Sequence, residues 1–137
     1  MTMSTTPVRK RLRFESAQLL ESEGQRRIIV TLTLGQLIFP ASIDAPDDEN
    51  GLLRAAATAT LEAVQGASAN KFACSLLDLD HVKALGKDLL AVLVNIRFQE
   101  RDVQVFGSCQ IAGSEIDCTV KAALNATNRM FELAMRE

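Results

Sequence analysis

The chain has a single imidazole, His81, and it follows Asp78-Leu79-Asp80. Imidazole and carboxylate groups this close together could hold a divalent metal. Extended backbone, however, sends alternate side chains to opposite faces, so Asp78 and Asp80 share one side and His81 takes the other. The three do not converge, and the run reads as a solvated strand end with no metal site. General base work by His81 would need an orienting partner and a nucleophile, and the sequence identifies neither. Cys109 and Cys118 flank a short loop that could bring them together. A helix N-terminus beside Cys118 is one of the known causes of a reactive thiol. Without a His nearby in sequence, packing is the simpler role for both. Arg9, Arg11 and Arg13, with Lys10 and the nearby Arg26 and Arg27, form the most clustered basic feature. The stripe could hold phosphates or an acidic partner, or it could discourage edge-to-edge strand pairing. Phe14 is the only aromatic residue interleaved with it, so a stacking platform for nucleic acid is poorly supported. There is no Walker loop, GxGxxG or GxSxG. The expectation is a non-enzyme, with no catalytic residue and no cofactor.

The framework carrying these groups is small. A chain of 137 residues and 14.9 kDa fits one domain and leaves little room for a second. Hydrophobic residues at 47% and charged residues at 23% are ordinary globular values, which argues against disorder. A formal charge of −2 excludes a generally basic nucleic-acid protein. Residues 1–8 are polar and Thr-rich, with no apolar stretch of signal-peptide type, and read as a flexible N-terminal segment. The longest apolar run, Leu89 to Val94, is far too short to span a membrane. Three cysteines make an odd set without CxxC spacing, which suits reduced thiols in a cytoplasm.

Period-two alternation predicts strands over Arg9 to Phe14, Ile28 to Leu34 and Leu37 to Ile43. Gly35-Gln36 supplies a tight reversal, and Pro40 either places the third strand at an edge or ends it nearby. Asp44 to Gly51 reads as a loop with capping residues, and the Ala-rich run Leu52 to Val64 as a helix. The second half restates this order. Strands are expected over Lys71 to Leu79, Ala91 to Phe98 and Val103 to Ile111, with a turn at Glu100-Arg101-Asp102. Ser114-Glu115-Ile116-Asp117 then resembles a capping box. Ile116, Val120, Ala123, Leu124, Thr127, Met130, Phe131 and Ala134 recur at helical spacing. Phe39-Pro40-Ala41-Ser42 aligns with Phe106-Gly107-Ser108-Cys109, and Ala59 to Ala63 with Ala122 to Ala126. The fold expected is α+β: two repeated βββα units, about 9–66 and 70–137, related by a pseudo-twofold, with mostly antiparallel sheets and one helix each.

Gly107, Asp117, Lys121, Ala122, Leu124, Asn125, Ala126, Asn128 and Arg129 form a "G…D…KA-LNA-NR" pattern. On these residues, and on Val82 to Asp88 with the strand that follows, the chain resembles the C-terminal regulatory domain of the 2-isopropylmalate synthase family. The likeness covers roughly Arg9 to Glu137, and the catalytic barrel of that family is absent. The resemblance implies a non-catalytic homodimer that binds an end-product amino acid in the loops leading into its helices. On that basis the candidate ligand-binding residues are Asn50, Gly51, Gly113, Ser114 and Asp117. Asp47, Asp48 and Glu49 in the first loop repel a carboxylate, so Ala112-Gly113-Ser114 is the more permissive of the two. Two further readings stand beside this one. The chain could be a protein-interaction or assembly module that keeps the dimer scaffold without a ligand. Nucleic-acid binding through Arg9, Arg11 and Arg13 is the weaker alternative.

Overall fold

The computed structural model describes residues 11–136. The expected flexible segment 1–8 and Arg9 of the basic stripe lie outside the described residues. The elements run β1 (Arg13–Ser22), β2 (Gln25–Leu34), β3 (Leu37–Ala45), α1 (Glu49–Ala67), β4 (Ala73–Ala84), β5 (Lys87–Phe98), β6 (Arg101–Gln110) and α2 (Glu115–Met135). They form two antiparallel sheets, ordered β1-β2-β3 and β4-β5-β6, each followed by its helix. The fold is α+β, built from two βββα units.

The central strands carry the core. Ile28, Val30, Leu32 and Leu34 of β2, and Leu90, Val92, Val94 and Ile96 of β5, are buried on the faces turned toward the helices. Helix α1 packs on β2 and β3 and also reaches β4, while α2 packs on β5 and β6 and reaches β1. The helices pack on each other, so one hydrophobic core joins the two units. Alanines at positions 55, 56, 57, 59, 63, 122, 123 and 126 are all buried, and small side chains let helices approach closely. No helix among the described residues is long and apolar enough to cross a membrane.

Several expected boundaries move, and a β-bulge explains the largest shifts. Among the described residues the first strand starts at Arg13 and continues to Ser22 rather than ending at Phe14. The ladder slips between Phe14 and Ser16, so Glu15 is an extra residue in the strand. Inward positions then run Phe14, Ala17, Leu19, and a strict period of two breaks there. Strand β4 repeats the same device: its slip lies between Leu76 and Asp78, and it extends to Ala84 rather than ending at Leu79. Both bulges oppose the same place on the central strand, Leu32/Thr31 in one unit and Val94/Leu93 in the other.

The turn between β5 and β6 falls at Gln99-Glu100, both at positive φ (52° and 65°), and not at Glu100 to Asp102. Pro40 does lie on an edge strand, where its missing N–H breaks no ladder bond. The strand part of the repeat alignment is off by one residue. Val30 pairs with Ala41 and Val92 with Gly107, so Ala41, not Pro40, is the counterpart of Gly107. Phe39 faces inward, whereas Phe106 is 78% exposed on the opposite face. The helix alignment agrees with burial: Glu62 and Asn125 are the exposed positions in two otherwise buried runs.

Candidate functional site

Gly107 and the α2 pattern build a helix–sheet contact. A Cβ at Gly107 would meet the Ala122 carbonyl oxygen at 2.0 Å and the Ala126 nitrogen at 2.6 Å. The helix therefore lies on β6 at a separation that only glycine permits. Ala122, Leu124 and Ala126 are buried beneath it. Asn125 Nδ2 donates to the Ser108 carbonyl at 3.1 Å and fixes the helix along the strand. Lys121 and Arg129 are exposed. This part of the pattern docks the helix.

The five candidate ligand residues sit at two helix starts. Asn50 and Gly51 are not in a loop: they belong to the first turn of α1, because Asp48 is its N-cap. The Asp48 carboxylate accepts from the Gly51 N–H, so that donor is already used. Gly113 takes a positive φ of 82° and delivers the chain to Ser114, the N-cap of α2. Ser114 Oγ accepts from the Asp117 N–H at 3.2 Å. Asp48 and Glu49 crowd the first helix start, and Glu115 and Asp117 lie in the first turn of the second.

Beside each helix start lies a cleft, walled by the hairpin of the first two strands and the loop entering the helix. In the first unit, Glu21 to Arg26 and Asp44 to Asp47 line hollows of about 330 and 300 Å³. Arg26 is their only cation, and it is occupied: Nη1 donates to the Asp47 carbonyl at 3.0 Å, and Nε lies 3.4 Å from Glu21 Oε1. Arg27 pairs with Asp44 at 3.0 Å. Neither arginine joins the basic stripe, which among the described residues consists of Arg11 and Arg13, both exposed.

The second cleft, about 410 Å³, is lined by His81, Val82, Lys83, Asp88, Ile111 and Glu115. His81 points to the helix side of its sheet, as Leu79 does; Asp80 takes the outer side, and Asp78, next to the bulge, accepts from Arg54 Nη2 of α1 at 2.9 Å. No group of three metal-ligating side chains comes together among the described residues. His81 has a partner that local spacing could not reveal: Nε2 lies 3.2 Å from Glu115 Oε1, supplied by the first residue of α2. Lys83 Nζ is 3.9 Å from Asp88 Oδ1, and both side chains are largely exposed. The Ile111 N–H donates to the Asp88 carbonyl at 2.9 Å and closes the far wall. An ammonium, an imidazole, two carboxylates and two aliphatic side chains thus share one hollow. None of Gly113, Ser114 and Asp117 is among its lining residues: Ile111 and Glu115 form the helix side and His81 to Asp88 the hairpin side, and none of these is marked by the sequence as a ligand contact.

All three cysteines are free thiols. Burial pushes Cys74 up to about 12, and its Sγ donates to the Leu61 carbonyl at 3.5 Å. Burial likewise pushes Cys118 up to about 12, and the neighbouring Cys109 adds to the rise. No family model matches the chain, and no curated protein matches it.

Proposed function

We propose that this protein is a non-catalytic regulatory module that binds a small amphoteric metabolite, an amino acid or a related carboxylate. The ligand occupies the cleft between the β4–β5 hairpin and the start of α2. The observation that carries this reading is the cleft's composition. Lys83 and His81 are suited to a carboxylate, Glu115 and Asp88 to an ammonium, and Val82 and Ile111 to a short aliphatic side chain. The first cleft is set against a carboxylate, since its one guanidinium is bonded to the Asp47 carbonyl, lies 3.4 Å from Glu21, and stands among the further carboxylates of Glu23, Asp44 and Asp47. Kinship with the regulatory domain of 2-isopropylmalate synthases, a homodimeric state and a cytoplasmic site of action belong to the same proposal.

Calorimetry with the twenty amino acids and common 2-oxo and hydroxy acids tests it. At one hundred times its dissociation constant, a ligand stabilises the fold by about 2.7 kcal/mol. Lys83→Glu is expected to weaken binding at least about tenfold, the scale of a lost charge-assisted hydrogen bond. Lys83 is exposed, so the variant should fold as the wild type does. An unchanged affinity in Lys83→Glu would contradict the site.

A second reading, an assembly module working through its outer sheet faces, is favoured by Phe106. This ring is 78% exposed on the outer face of β6, cross-strand from Leu93, and Ile38 is 66% exposed on the outer face of β3. Under this reading Phe106→Ser lowers the mass seen by light scattering to that of a monomer while the melting temperature holds. Equal masses for the variant and the wild type would count against it.

A further inference from the structure

Cys109 ends the inner face of β6 and Cys118 lies in the first turns of α2; between them run only the loop and the Ser114 cap. Helix docking brings the two together. Cys118 Sγ donates to the Cys109 carbonyl at 3.3 Å, and Cys109 Sγ donates to the Gln110 carbonyl at 3.5 Å. Cys118 is buried at 3% exposure, whereas Cys109 is only half-buried. Cys74 takes no part, for it pairs with Ile96 at the other end of β5 from Leu90, the partner of Cys109. The chain segment enclosed by the pair holds Ile111 and Glu115, which form one wall of the second cleft.

We infer that Cys109 and Cys118 are an oxidative modification site, forming a reversible disulfide that fixes the loop wall of the second cleft. Its bearing on a ligand rests on the function proposed above; the cross-link itself does not. With a hydroperoxide as oxidant, the Cys109 sulfur attacks the O–O bond, takes one oxygen as a sulfenic acid and releases water or an alcohol. The Cys118 sulfur then displaces that oxygen from the Cys109 sulfur. An S–S bond forms, the S–O bond breaks, and the Cys118 proton leaves with the hydroxide as water. Two thiols are oxidised and one peroxide is reduced. An external thiol reverses the cross-link by exchange.

The half-buried Cys109 is the sulfur that peroxide reaches first, and Cys118 resolves the sulfenic acid. Burial shields Cys118 from the oxidant and makes it an unattractive first target. The test is hydrogen peroxide at stoichiometric amounts on the reduced full chain, followed by denaturing alkylation, intact mass and peptide mapping. The expected product has lost two hydrogens, takes up alkylating reagent only at Cys74, and yields a Cys109–Cys118 linked peptide. Its melting temperature rises, and dithiothreitol restores both mass and melting temperature. Cys118→Ser should instead retain oxygen on Cys109, and Cys109→Ser should leave both remaining thiols alkylatable. Wild-type protein that gains oxygen without the linked peptide, keeps three alkylatable thiols, or links Cys74 overturns the inference. Mapping reads the cross-link whether or not any metabolite binds, so failure here is separable from failure of the ligand reading.

Discussion

Replacing Gly107 by Ala is expected to cost about 3 kcal/mol or more, the upper range for forcing a methyl into a packed interior. The new Cβ would lie 2.0 Å from the Ala122 carbonyl oxygen and 2.7 Å from the Ala126 Cβ. Both obstacles belong to the body of α2, so no flexible side chain can swing away. Relief requires lifting the helix from β6, which also removes the Asn125–Ser108 hydrogen bond. The counterpart in the first unit is a built-in control. Ala41 occupies the same ladder position opposite Val30, and α1 lies over β3 with a methyl already there. Ala41→Gly should cost only about 0.5–1 kcal/mol, the usual penalty of strand glycine. Denaturant unfolding compares the two, and a loss below about 1 kcal/mol for Gly107→Ala would contradict the close helix–sheet contact.

Phe131→Ala should be similarly costly, about 3–5 kcal/mol, the range for truncating a buried aromatic residue. Phe131 is the largest of the fully buried side chains and is 1% exposed. Residues of both units form the cluster around it, which includes Ile28, Val30, Leu32, Val92 and Val94. The loss should therefore appear as one cooperative transition moved to lower denaturant with its slope preserved. Two separate transitions, with only one of them moved, would show that the halves do not share a core.

The duplicated βββα order was legible in the sequence because the central strands alternate without interruption. Ile28 to Leu34 and Leu90 to Ile96 keep period two throughout. The edge strands β1 and β4 were cut short because each carries a bulge, at Glu15 and at Leu77, and a bulge moves every later side chain to the other face. The slip that set Phe39 against Phe106 has a related cause. The β2–β3 hairpin turns at Gly35-Gln36, straight after the Leu34–Leu37 pair, while the second hairpin runs on through Phe98–Arg101. No local pattern records that difference. Both helices are readable from their apolar faces, but α1 starts at Glu49 rather than Leu52, because Asp48 caps it ahead of Asn50 and Gly51. Of the second cleft, Gly113, Ser114 and Asp117 marked the neighbourhood. The pairing of His81 with Glu115 spans 34 residues and required the fold.

The central claim is that the second cleft takes a small amphoteric ligand, and His81 offers a direct readout because the chain has no other histidine. Its ring protons give the only imidazole signals in a proton NMR spectrum, and the ring forms part of the cleft wall. Titrating the protein with each amino acid and each common 2-oxo or hydroxy acid should move those signals saturably for at least one compound, and Lys83→Glu should suppress the movement. Imidazole signals that stay fixed for every compound at millimolar concentration would contradict the account.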